Sequence, residues 1–188
     1  AETQKLLAEL GEDYRKLLAD LVPARISIGT IQRVLQGLLA ERISIRDLGT
    51  ILEAIAEAAA GTQSVVRIVE HVRARLARQI SAAGADTTGQ IPTLMLGPRW
   101  EEAFAGALVG GGDDRQLTMA PSQLQQFVRE LAETLEALAM RGEMPVLVTT
   151  PTVRPYVRAV VERVRPTTLV LSQNEIHARA KLRHLGEL

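Results

Sequence analysis

The sequence predicts an α+β chain, a helical subdomain followed by a small α/β subdomain with a mixed, partly parallel sheet. Three observations carry this. Residues 2–80 place apolar side chains at spacings of three and four, the stripe of an amphipathic helix. Beyond residue 90, continuous apolar runs appear at Leu94–Leu96, Val146–Val148 and Leu169–Leu171, each too short for a helix and bounded by Pro, Thr or Ser, as in buried strands. Helical patterns separate those runs, so the strands are joined by crossovers. The expected division is a helical subdomain over 1–80, a link over 81–90 and an α/β subdomain over 91–188.

Taken in order, Leu6, Leu7, Leu10, Tyr14, Leu17, Leu18 and Leu21 form one stripe over residues 2–20, weakened at Gly11 and ended by Pro23. An internal echo follows, Arg25-Ile26-Ser27-Ile28 and Arg42-Ile43-Ser44-Ile45, and each copy reads as a helix start. In each the serine caps an orphan amide and the preceding isoleucine staples onto Ile31 or Leu48. Asp47 adds a box-like contact and a favourable charge at the second start. Gly61 is a helix stop and Ser64 a new cap, opening a helix over 65–80 with Val65, Val69, Val72, Leu76 and Ile80 inward. Residues 81–90 have little charge and no period, which suits a link.

In the second half, helical periods cover Arg99–Leu108, Ser122–Met140 and Thr152–Val164. Alternation from Ala178 to Leu185 predicts a terminal edge strand.

Composition closes several routes. A chain of 188 residues supports its own core. Lysine plus arginine and aspartate plus glutamate both total 22, so no overall field favours nucleic acid or anionic lipid. The absence of cysteine removes disulfides, thiolate chemistry and cysteine zinc sites, and fits a reducing compartment. No apolar run is long enough to cross a membrane. The opening Ala-Glu-Thr-Gln carries no methionine and no signal pattern, and reads as an excised segment of a longer protein.

Catalytic and cofactor chemistry is sought without success. The run Gly110-Gly111-Gly112-Asp113-Asp114 follows a helix, whereas phosphate loops precede one, so a solvated connecting turn is expected. His71, His177 and His184 have no metal-ligand spacing, and no nucleophile elbow exists. No cofactor and no metal is expected. Glu130, Glu133 and Glu136 read as a solvated row. On a helical wheel Arg67, His71, Arg75 and Arg78 share one face, a local basic strip suited to a subunit or partner contact. Arg154 and Arg158 share another face, with Arg154 left to meet something else. The rival readings are a nucleotide-binding α/β enzyme domain and a nucleic-acid adaptor, the latter opposed by acidic Asp47, Glu53 and Glu57 where a recognition helix would meet phosphates.

Four phrases stand in one order: Arg46-Asp47-Leu48-Gly49-Thr50-Ile51-Leu52-Glu53-Ala54, Val72 to Ile80, Thr149-Thr150-Pro151-Thr152-Val153-Arg154-Pro155-Tyr156-Val157-Arg158, and Val170 to Ile176. In this order they resemble the C-terminal part of the type III secretion export-gate family (FlhA/SctV type, FHIPEP). The ending, with Leu185-Gly186 after a further strand, is similar to the virulence-injectisome branch. The resemblance implies the last two of four cytoplasmic subdomains of an inner-membrane protein. This chain would then meet the membrane only through a missing N-terminal half. It further implies a non-catalytic module of a homo-nonameric ring that docks chaperone–substrate complexes, gatekeepers and other export-apparatus proteins, with export energy supplied elsewhere and no nucleic acid bound. Arg46, Asp47, Arg75 and Arg78, from the matching phrases, are interface candidates, joined by Arg67 from the strip and Arg154 from the later helix. Tyr156 and Glu175 are expected to be structural.

Overall fold

A computed structural model describes residues 2–111 and 115–188. The chain divides into two compact units, the first ending at Leu76 and the second starting at Ala77.

The first unit is helical: α1 (Glu2–Ala8), α2 (Glu12–Leu21), α3 (Ile28–Ala40), α4 (Leu48–Ala59) and α5 (Val65–Arg75). Their inward stripes, including Ile31, Val34, Leu38, Ile51, Leu52, Ile55, Ile68 and Val72, are buried. The first stripe forms two helices where one was expected. Gly11 adopts an extended conformation as the N-cap of α2, and the Arg15 Nε donates to the Leu10 carbonyl at 2.9 Å across the break. Ser27 caps α3, accepting from the Thr30 amide at 3.1 Å, and Ser64 caps α5, accepting from Arg67 at 3.4 Å.

The second copy of the echo does not repeat the first. Asp47, not Ser44, caps α4 by accepting the Thr50 amide at 3.2 Å, while Ser44 accepts from Arg46 two residues on. Ile43 is buried in the turn after α3, and Arg42 there has φ of 61°, so residues 43–47 stay outside a helix until Asp47 caps α4.

The expected helix over 65–80 breaks at Leu76, whose amide reaches the carbonyls of Val72 and Arg73. Beyond it α6 (Ala77–Ala83) belongs to the second unit. The division between the compact units lies between residues 76 and 77, and the segment between α6 and the first strand is 84–89.

The second unit continues with β1 (Gln90–Met95), α7 (Pro98–Gly106), β2 (Leu108–Val109), β3 (Gln116–Leu117), α8 (Pro121–Ala139), β4 (Val146–Thr149), α9 (Arg154–Val164), β5 (Val170–Ser172), a 3-10 turn (Gln173–Glu175) and β6 (Lys181–Glu187). The main sheet has the order β5-β4-β1-β6 with every pairing parallel, and β2–β3 form a separate two-residue antiparallel ladder. The expected edge strand is present, shifted towards the C-terminus. Trp100, Phe104 and Phe127 anchor the core between α7, α8, α9 and the sheet, with edge-on ring pairs at 5.1 and 4.9 Å. The expected turn over Gly110–Asp114 lies partly outside the described residues.

Candidate protein-interaction surface

The helices α4 and α5 bring four charged side chains together. Glu53 and Glu57 sit four residues apart on α4, as do His71 and Arg75 on α5, so each pair shares a helix face. The Arg75 Nη1 donates to Glu57 Oε1 at 2.5 Å, the His71 Nε2 is 2.9 Å from Glu57 Oε2, and Arg75 Nη2 is 4.0 Å from Glu53. Hydrogen bonds from His71 and then Arg75 hold the Glu57 carboxyl below its usual range. All four side chains are exposed. Within the expected basic strip, His71 and Arg75 thus each meet an acid on α4. Such exposed pairs are screened by water and contribute little to folding.

The remaining candidates separate. Arg67 is exposed in the first turn of α5. Arg46 is exposed just before α4, its amide bonded to the Ser44 hydroxyl, while Asp47 beside it is engaged as the cap. Arg78 is exposed on α6, which belongs to the other unit. Arg154 is no surface residue at all. It is 2% exposed, faces Glu175 with Nε 3.8 Å from Oε2, and donates from Nη1 to the Val170 carbonyl at 3.0 Å. Its position at the start of α9 points it beneath β5 instead of outward, because Val153 and Val157 beside it are core residues. Glu175 accepts from the Ser172 amide at 3.1 Å as part of a capping box, the structural role expected of it.

Sequence reasoning missed Arg73, which is also 2% exposed and pairs with Glu41. Its neighbour Val72 carries the stripe, and nothing in the periodicity marks an arginine one position on as buried.

Doubly wound sheets bind ligands outside the carboxyl ends of their strands. At that edge the chain bonds to itself at two places. The Glu101 carboxylate accepts from both the amide and the hydroxyl of Thr150 at 2.7 Å, and the Gly97 amide donates to the Leu188 carbonyl. At the opposite edge a cleft of about 1050 Å³ is lined by residues that include Asp86, Leu135, Glu143, Met144, Arg165 and Arg183. Arg183 donates to Glu143 at 2.5 Å and to Asp86 at 2.8 Å. Bonds from Thr88 and then Arg183 hold Asp86 well below the usual carboxylate range. Among the described residues no three His, Asp or Glu side chains group to hold a metal, and no helix is long and apolar enough to cross a membrane.

A sequence profile described as the FHIPEP family matches residues 1–181. The chain belongs to this family. Its similarity to the flagellar biosynthesis protein FlhA of Caulobacter vibrioides is 54% identity over 186 residues, 99% of this chain and 27% of that protein. The chain thus spans about a quarter of the length of the curated relatives it matches. Among solved structures, a nonameric EPEC SctV-C superposes with TM-score 0.86 and 25% identity, covering 100% of this chain and 56% of that one. CdsV of Chlamydia pneumoniae, solved in complex with CdsO, superposes with TM-score 0.79 and 27% identity over 99% of this chain and 53% of that one. This FHIPEP chain is therefore homologous to the C-terminal cytoplasmic part of the FlhA and SctV export gates. Its identity to the flagellar relative is about twice that to the SctV structure, so the expected injectisome assignment gains no support from sequence.

Proposed function

We propose that this chain is a ring-forming, non-catalytic module of the export gate of a type III protein secretion system, on the cytoplasmic face of the bacterial inner membrane. In the longer protein nine copies surround the export path and offer their faces to chaperone–substrate complexes, gatekeepers and other export-apparatus proteins. The observation that carries this reading is the superposition of the whole chain on the SctV-C of a nonameric assembly. The CdsV–CdsO complex supports contact with a further export-apparatus protein. Identity of 54% to a flagellar FlhA favours the flagellar branch over the injectisome branch.

Arg46, Arg67 and Arg75, with Arg78 on the second unit, are the side chains through which copies or partners meet, and Asp47 contributes by fixing the start of α4. Isolated from its membrane half the chain loses effective concentration, so association is weak and is read across a concentration series. Sedimentation of the 188-residue chain tests this. The proposal expects mass to rise with concentration and Arg46→Glu to suppress the rise while the helical circular dichroism is retained. Association that is identical in Arg46→Glu, Arg67→Glu and Arg75→Glu removes this surface from the interface.

A nucleotide-binding enzyme is disfavoured by the self-contacts of Glu101 and Thr150 at the carboxyl edge of the sheet and by a glycine run that follows α7 in the sequence.

A further inference from the structure

The division between the units falls where α5 ends and α6 begins, so α6 is the element by which the first unit is attached to the second. It is a weak element by ordinary criteria. At seven residues it is too short to be stable alone, and only Ile80 and Ser81 of its side chains are buried. Apolar burial by one isoleucine does not account for its order.

What holds it is polar. The buried Ser81 Oγ accepts from the His177 amide at 2.9 Å and donates towards the Glu175 carbonyl at 3.0 Å, sharing its proton with the Ala77 carbonyl one turn back in α6. The residue it grips is itself fixed from the other side. Glu175 closes the 3-10 turn through its capping box with Ser172, and its second carboxylate oxygen faces Arg154, which in turn donates to Val170 of β5. One hydroxyl therefore joins α6 to a buried polar chain that runs through the turn after β5 to the start of α9. At the far end of α6, Gly84 lies so close to the sheet that a Cβ there would be 2.8 Å from a Val146 methyl, which marks where the chain is pinned again.

We propose that α6 is a releasable strap. It is latched by Ser81 to the Arg154–Glu175 chain, and it opens as a local unit while the parallel sheet stays folded. Opening frees residues 77–83 between Leu76 and the pinned Gly84. As flexible chain that segment spans about 15 Å root-mean-square, so release replaces a helical link between Leu76 and Gly84 with a flexible one. Elements held by few buried side chains are the ones that open below the global unfolding free energy. A latch made of hydrogen bonds gives such an opening a small, tunable cost.

Hydrogen exchange on the 188-residue chain, read by mass spectrometry, tests the strap. In the unaltered chain at low urea, the amides of 77–83 should exchange through an opening with little urea dependence, well before those of β1 and β4. Ser81→Ala should speed exchange of 77–83 by about tenfold, the effect of losing one to two buried hydrogen bonds, and leave β1 and β4 unchanged. Two results overturn the proposal: α6 amides that follow the same urea dependence as the sheet, or a Ser81→Ala effect spread evenly over the second unit. Should Ser81→Ala fail to fold, the urea series on the unaltered chain decides alone.

Discussion

Replacing Arg154 by methionine keeps most of the side chain's length and removes its charge and donors. Arg154 and Glu175 are 2% and 1% exposed with 3.8 Å between Nε and Oε2. At an effective dielectric near 20, an attraction over that distance is worth roughly 4 kcal/mol, which offsets the desolvation of both ions. Arg154→Met removes the cation facing the buried Glu175 carboxylate and the Nη1 donor to the Val170 carbonyl, so it should cost about 3–5 kcal/mol. Glu175→Gln added to Arg154→Met removes the stranded charge while an amide oxygen can still accept from Ser172. The double variant should therefore regain more than about 1 kcal/mol over the single. The assay is urea unfolding followed by fluorescence, because Trp100 is the sole tryptophan and lies in the core of the second unit. A double variant as unstable as Arg154→Met, or less stable, would refute the reasoning, since the loss would then not come from an unpaired Glu175.

Three further expectations follow the same logic. Ser27→Ala and Asp47→Ala should each cost about 1 kcal/mol in thermal or urea unfolding of the first unit, and Ser44→Ala less than about 0.5, because the first two cap helices and the third only an exposed turn. Gly84→Ala should destabilise the second unit by about 1–3 kcal/mol, since its methyl would meet Val146 and Ile91 side chains that the sheet holds in place. The Asp86 carboxyl is depressed below its ordinary 3.8, so its contribution is full above about pH 4 and is lost as pH falls below it. Asp86→Asn should accordingly flatten the acid limb of the second unit's stability profile, and an unchanged limb would show that the Thr88 and Arg183 bonds do not set it.

Much of the fold is legible in the chain because it is written in short-range patterns. Apolar spacing marks α3, α4, α8 and α9, and the bounded apolar runs mark β1, β4 and β5. Ser27 and Ser64 cap where the pattern places them. The failures are long-range. The break at Leu76 reflects two helices serving different cores, a fact no local period contains. Asp47 displaces Ser44 as a cap because Ile43 is drawn into the first unit's core, which delays the helix by three residues. Arg154 looks like a surface residue on a wheel of α9 because the wheel does not show Glu175 waiting under β5. The acidic partners of Arg75 and His71 lie on α4, so these two bases, which look unpaired on a wheel of α5, are matched by its neighbour. The functional class was visible only through ordered phrases resembling a family, since the faces of a docking module carry no catalytic signature.

The most direct test of a ring-forming export-gate module is photo-crosslinking from position 46 of the full-length protein in growing cells. Self-association predicts a ladder of crosslinked species that climbs to nine copies, the number in the SctV-C assembly. A monomer with no self-crosslinks, from cells that secrete normally, would contradict it.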